Sequence, residues 1–136
     1  MIELIETSKP VSSVIGFYPN PETNAYNIQL FEWHYRALHF TYRVNVQMVS
    51  APAQITDLFG GAIVAIEEDP DAVPIEDFEH PDQAVYIAGN SLYQFPSQFT
   101  RCTHVVQIPV PDPEHPLYGS QAAAIVLNDR RMKHAD

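Results

Sequence analysis

The stretch AGNSLYQFPSQFTRCTHVVQIPVPDPEHPLYGSQAAAIVLNDRRMK, residues 88–133, holds the side chains and turns best suited to binding chemistry. Gly89 closes an apolar run and opens a turn, and open α/β sheets bind their ligands in crevices at the carboxyl ends of their strands. A residue without Cβ there lets the backbone approach a ligand closely. Ile108 and Pro109 end the next apolar run, and the loop 109–119 carries four prolines, at 109, 111, 113 and 116. Eleven residues are many for a strand-to-helix step, and long connections stiffened by proline are more often functional than incidental.

Other chemistries find little support. His34 and His39 lie five residues apart, which misses the i,i+4 pair of a helical zinc site. His80, His104 and His115 show no ligand spacing, so solvated or hydrogen-bonded imidazoles are expected and no metal is assigned. Cys102 is the single cysteine, which excludes an intrachain disulfide and a thiolate cluster and predicts a buried, inert thiol. No nucleophile elbow or phosphate loop occurs. Arg36 stands four residues after Glu32, the spacing of a helical ion pair.

The formal net charge is -10 with seven Lys and Arg in all, a balance that opposes phosphate binding because such binding rests on cations displacing condensed counterions. DNA is not expected as a partner, and RNA only with help from a basic protein. Arg130, Arg131 and Lys133 cluster near the C-terminus; they suit either the negative end of a helix dipole or an RNA contact, the former being the simpler. Acidic residues concentrate in IEEDPDAVPIEDFEHPD, 66–82, which reads as a solvated connector. No apolar run reaches the roughly 20 residues of a membrane span, and the start MIELIETSK has no signal-peptide pattern, so a cytoplasmic protein is expected.

These residues must be positioned by a single α/β domain, for strand-like and helix-like segments alternate along the 136 residues. The pattern predicts strands at 11–18, 42–49, 61–66, 84–89 and 103–108. The second has alternating polar residues, as at a sheet edge, and the fourth is apolar enough for a central place. Helices are predicted over 23–39, with Ile28, Phe31, Tyr35 and Leu38 on one face, and over 120–132, with small residues at Ala122, Ala123 and Ala124. Short helical turns are expected near 54–59 and 96–101.

The order of these features resembles SPOUT-class RNA methyltransferases of the SpoU/TrmH type. The likeness runs from SVIGFYPNPETNAYN at 13–27, through AIEEDPDAVPIEDFEHPDQAVYIAGN at 65–90, to the C-terminal stretch quoted first, and covers about residues 12–133. It implies a mostly parallel sheet flanked by helices, a C-terminal trefoil knot, a homodimer pairing first and last helices, and S-adenosylmethionine as cofactor. The resemblance assigns the pocket to Gly89, Ile108, Pro116 and Leu117, largely through backbone groups. Its catalytic carry-over is incomplete. With Asn27 as the family's first-helix Asn, Trp33 occupies the slot of the usual Arg; starting from Asn24 puts Leu30 there. Asn90 and Ser91 stand where a Glu is usual, and Tyr118 where an Asn is. Arg36, three residues past Trp33, is the substitute candidate. Three readings stay open: a cofactor-binding domain with degraded catalysis, an active tRNA or rRNA 2′-O-methyltransferase using Arg36, and an unrelated, flavodoxin-like acidic domain that binds a protein.

Overall fold

The computed structural model describes residues 11–17, 25–49, 62–89, 102–112, 114 and 117–134, with side chains for 33–46, 62–88, 102–112, 114 and 117–134. The turns expected near 54–59 and 96–101 lie outside these residues, as do Pro116 and His115. Along the chain run β1 (Val11–Phe17), α1 (Ala25–Tyr42), β2 (Asn45–Val49), β3 (Ala62–Ile66), β4 (Val73–Pro74), β5 (Gln83–Gly89), β6 (His104–Gln107) and α2 (Gly119–Lys133). The strands form one sheet in the order β2-β1-β5-β3-β6-β4, every pairing parallel.

β5 lies between β1 and β3, with Tyr86 opposite Val14 on one side and Val64 on the other. Its residues from Ala84 to Ala88 are all buried, which explains the unbroken apolar run. β2 is an edge strand, as its polar alternation predicts. The flavodoxin-like alternative is overturned: that architecture adds strands outward in the order 2-1-3-4-5, whereas here β5 is inserted between β1 and β3.

α1 runs three residues beyond its expected end and absorbs Tyr42, which the sequence pattern places in the second strand. It stops because Arg43 turns into the left-handed region at φ 55°, and the His39 Nδ1–H donates to the Val44 carbonyl at 2.8 Å. Tyr35 and Leu38 face inward from α1, and Ala123, Val126 and Leu127 from α2. Both helices pack on the sheet face formed by Val64, Ile66, Ala84, Tyr86, Ala88 and Val106. Val85 and Ile87 are buried on the opposite face.

The acidic connector, expected to be solvated, is instead partly built into the core. It contains β4 and a 3-10 turn at Ile75–Asp77, and it buries Ala72, Phe78 and His80 while Glu76, Asp77, Glu79 and Asp82 stay exposed. Around Phe78-Glu79-His80 the chain is extended, so alternate side chains face opposite ways and acids can be solvated while their neighbours enter the core.

Candidate functional site

Because all paired strands are parallel, their carboxyl ends share one edge, and both Gly89, the last residue of β5, and Ile108, the residue after β6, stand on it. Leu117 joins them through the direction of α2. The guanidinium of Arg130, near the helix end, reaches the carbonyls of Pro81 and Asp82, which immediately precede β5. The C-terminus of α2 is thus at the amino edge of the sheet. Its 15 residues span about 22 Å, close to the length of β5, which puts the helix start at the carboxyl edge. Leu117 precedes that start by two residues, and the Tyr118 N–H donates to Gln121 Oε1 at 2.8 Å to secure the first turn. Ile108 and Leu117 are both half-buried, so each offers apolar surface at this edge.

Asn27 lies in the first turn of α1 and Arg36 in its second half, where it is exposed. Nine residues along a helix amount to about 13 Å and half a turn of rotation, so α1 does not bring these two residues together.

A second polar assembly lies at the other end of α2. Arg130 Nη1 donates to the Tyr86 hydroxyl at 2.9 Å, and that oxygen is 2.7 Å from His80 Nδ1. His80 Nε2 is 2.7 Å from Asp129 Oδ2, which also accepts from Lys133 Nζ at 2.9 Å. Carboxylates only accept, so Nε2 carries a proton, and the hydroxyl that accepts from Arg130 can pass its own proton toward Nδ1. Lys133 further donates to the carbonyls of Ile75 and Phe78, each at 2.8 Å. Burial lowers the pKa of His80, with Asp129 opposing and Arg130 and Lys133 assisting. Burial raises that of Tyr86, against the pull of Arg130.

Nothing local in the sequence brings these residues together. Local spacing gives His80 no metal-ligand pattern and predicts only a solvated or hydrogen-bonded imidazole, and it leaves Arg130 and Lys133 to the helix dipole or to RNA. The structure commits both cations to internal carbonyls instead. One signal was available: a hydroxyl in the middle of a central apolar strand, Tyr86, requires a buried partner. Cys102 is half-buried, and burial together with the nearby Glu67 pushes its thiol up to about 11, as expected of an inert cysteine. On the first and last helices, which the resemblance pairs between two copies, Tyr35 and Ala123 are fully buried in the chain's own core and offer no surface to a second copy. Among the described residues, the large apolar side chains exposed on the helices are Trp33 and Phe40 on α1, and Tyr118, Ile125 and Met132 beside or along α2. Each set is spaced by seven residues and forms a stripe down its helix.

An all-parallel sheet of this order, with its strand ends at one carboxyl edge, defines an α/β architecture. The A. aeolicus TrmH/SpoU tRNA modifying enzyme has a similar structure, with a TM-score of 0.63 at 17% identity over 92% of this chain and 77% of that one. The chain therefore has the fold of a TrmH/SpoU-type protein. No protein-family model matches the sequence, and no curated protein matches it. Among the described residues, no helix is long and apolar enough to cross a membrane.

Proposed function

We propose that this chain is a SPOUT methyltransferase-like domain that holds S-adenosylmethionine at the carboxyl edge of its sheet and acts in binding rather than in methyl transfer to RNA. The convergence of Gly89, Ile108 and Leu117 on that edge carries the reading. Partly open Ile108 and Leu117 suit the faces of an adenine, and the backbone around Gly89 can approach the ribose without a side chain in the way. Pro116 completes the segment by the family resemblance, although it offers no N–H. When bound, the cofactor supplies an electrophilic methyl group.

Two observations favour impaired catalysis. The arginine nearest the family's first-helix motif, Arg36, is separated from Asn27 by half a helical turn and about 13 Å. The net charge is -10, and Arg130 and Lys133, two of the seven cations, are engaged with the chain's own carbonyls. The fold likeness to a tRNA modifying enzyme favours a second reading, an active tRNA or rRNA 2′-O-methyltransferase with a basic partner. The C-terminal part is proposed to be knotted. The protein is proposed to form a homodimer through the stripes bearing Trp33 and Phe40, and Ile125 and Met132, in a cytoplasmic setting.

Calorimetric titration with S-adenosylmethionine tests the central reading: saturable binding is expected, and Gly89→Trp should abolish it while the circular dichroism stays unchanged. Absence of heat with the wild type, or unchanged affinity in the variant, refutes the assigned site. Labelled methyl transfer to total tRNA and rRNA at low salt separates the two functional readings, since incorporation that vanishes in Arg36→Ala establishes the enzyme. Light scattering should give a dimer mass that Trp33→Glu and Ile125→Glu reduce to that of the monomer; a monomeric wild type removes the dimer.

A further inference from the structure

The connector and the end of α2 are held together by polar contacts that all gather around one imidazole. His80 itself bonds Asp129 and Tyr86, and its carbonyl accepts from His134 Nε2 at 3.1 Å. On either side, Arg130 takes the carbonyls of Pro81 and Asp82, and Lys133 those of Ile75 and Phe78. The Phe78 ring packs edge-on against the imidazole at 5.0 Å and also against the His104 ring at 5.9 Å. The His80 side chain has no exposure to solvent.

This wiring accepts one protonation state. A proton added to Nδ1 ends the bond in which the Tyr86 hydroxyl donates. The Tyr86 oxygen would then face donors from both His80 and Arg130, and its own proton would be left without an acceptor in a buried place. The charges are equally unfavourable: α2 brings Arg130 and Lys133 to the node against the single carboxylate of Asp129, and β5 brings only the neutral Tyr86. The connector's Glu76, Asp77, Glu79 and Asp82 are exposed and add no buried carboxylate to that of Asp129. We propose that the His80 node is a pH-operated latch, in which neutral His80 holds the last turns of α2 on the connector and its protonation releases them while the sheet stays folded.

The direction follows from linkage. His80 is harder to protonate in the folded chain than in the unfolded one, so its contribution is complete above the unfolded pKa of about 6.5. It is lost as pH falls through the lower, folded value. The latch is closed at neutral pH and opens on acidification.

The test uses the whole chain, with imidazole NMR to titrate His80, assigned by its loss in His80→Gln, and amide exchange from pH 7.5 to 5 corrected for intrinsic rates. His80 should titrate below pH 6.5. Protection of the Phe78 and His134 amides should fall by up to about tenfold for each pH unit between about 6.5 and that midpoint and level off below it, while β5 amides keep theirs. Should His80→Gln fail to fold, two further variants read the same device. Asp129→Asn removes the favourable charge and should lower the midpoint, whereas Tyr86→Phe removes the conflict at Nδ1 and should raise it. The latch is refuted if protection does not follow His80 titration, if β5 opens in parallel, or if neither variant moves the midpoint.

Discussion

Replacing Arg130 with methionine isolates what its guanidinium contributes, because methionine keeps most of the apolar stem in place. The side chain is 6% exposed and donates at 2.6 Å to Pro81 O, 2.7 Å to Asp82 O and 2.9 Å to the Tyr86 hydroxyl. A hydrogen bond from a charged donor contributes about 1.5–3 kcal/mol net. Pro81 and Asp82 are near solvent, and their carbonyls can recruit water, which reduces each loss to about 1 kcal/mol. Tyr86 is fully buried and cannot, so its share stands. The expected cost is therefore about 3–5 kcal/mol, a large fraction of the 5–15 kcal/mol typical of a domain. Urea denaturation followed by far-ultraviolet circular dichroism should show the midpoint falling by roughly 1.5–3 M at an unchanged slope. Arg131→Met, one residue along on the exposed face, should change stability by less than about 0.5 kcal/mol. A cycle with Tyr86→Phe should return a coupling energy of about 1 kcal/mol or more. A loss below about 1 kcal/mol in Arg130→Met would mean that the buried node does not hold α2 to the sheet.

Arg43→Gly should stabilise the protein by about 0.5–1 kcal/mol, since a side chain at φ 55° carries a strain that glycine avoids, offset in part by the entropy of the unfolded chain; thermal melting checks it, and a lowered midpoint counts against the strain. Val126→Ala should cost about 1.5–3 kcal/mol, because the valine is fully buried between α2 and the sheet and its lost methyls leave a cavity. Urea titration is the readout, and a change under 0.5 kcal/mol would show that the site collapses freely. Cys102, with its thiol pushed up to about 11, should react with iodoacetamide at pH 8 about 100-fold more slowly than an ordinary cysteine and regain full reactivity in urea. Equal rates with and without urea would contradict its burial.

The elements around the carboxyl edge of the sheet were legible because short-range rules determine them. An unbroken apolar run marks a strand covered on both faces, polar alternation marks an edge, and the places of β5 and β2 in the sheet follow those rules. Gly89 could likewise be singled out, for the ends of parallel strands must gather at one edge, whereas Ile108, Pro116 and Leu117 are assigned by the family resemblance alone. Arg43 was not legible, because nothing in a local propensity anticipates a left-handed arginine and so the three extra residues of α1. The buried node was beyond the sequence for a different reason. His80 and Asp129 are separated by 49 residues, and Tyr86 and Arg130 by 44. No periodicity relates such distant positions. An acidic connector and a basic helix end each have a sufficient local explanation in solvation and in the helix dipole. Only when α2 is laid antiparallel to β5 do its last turns meet the connector, and the desolvation of Tyr86 then requires the partners that Arg130 and His80 supply.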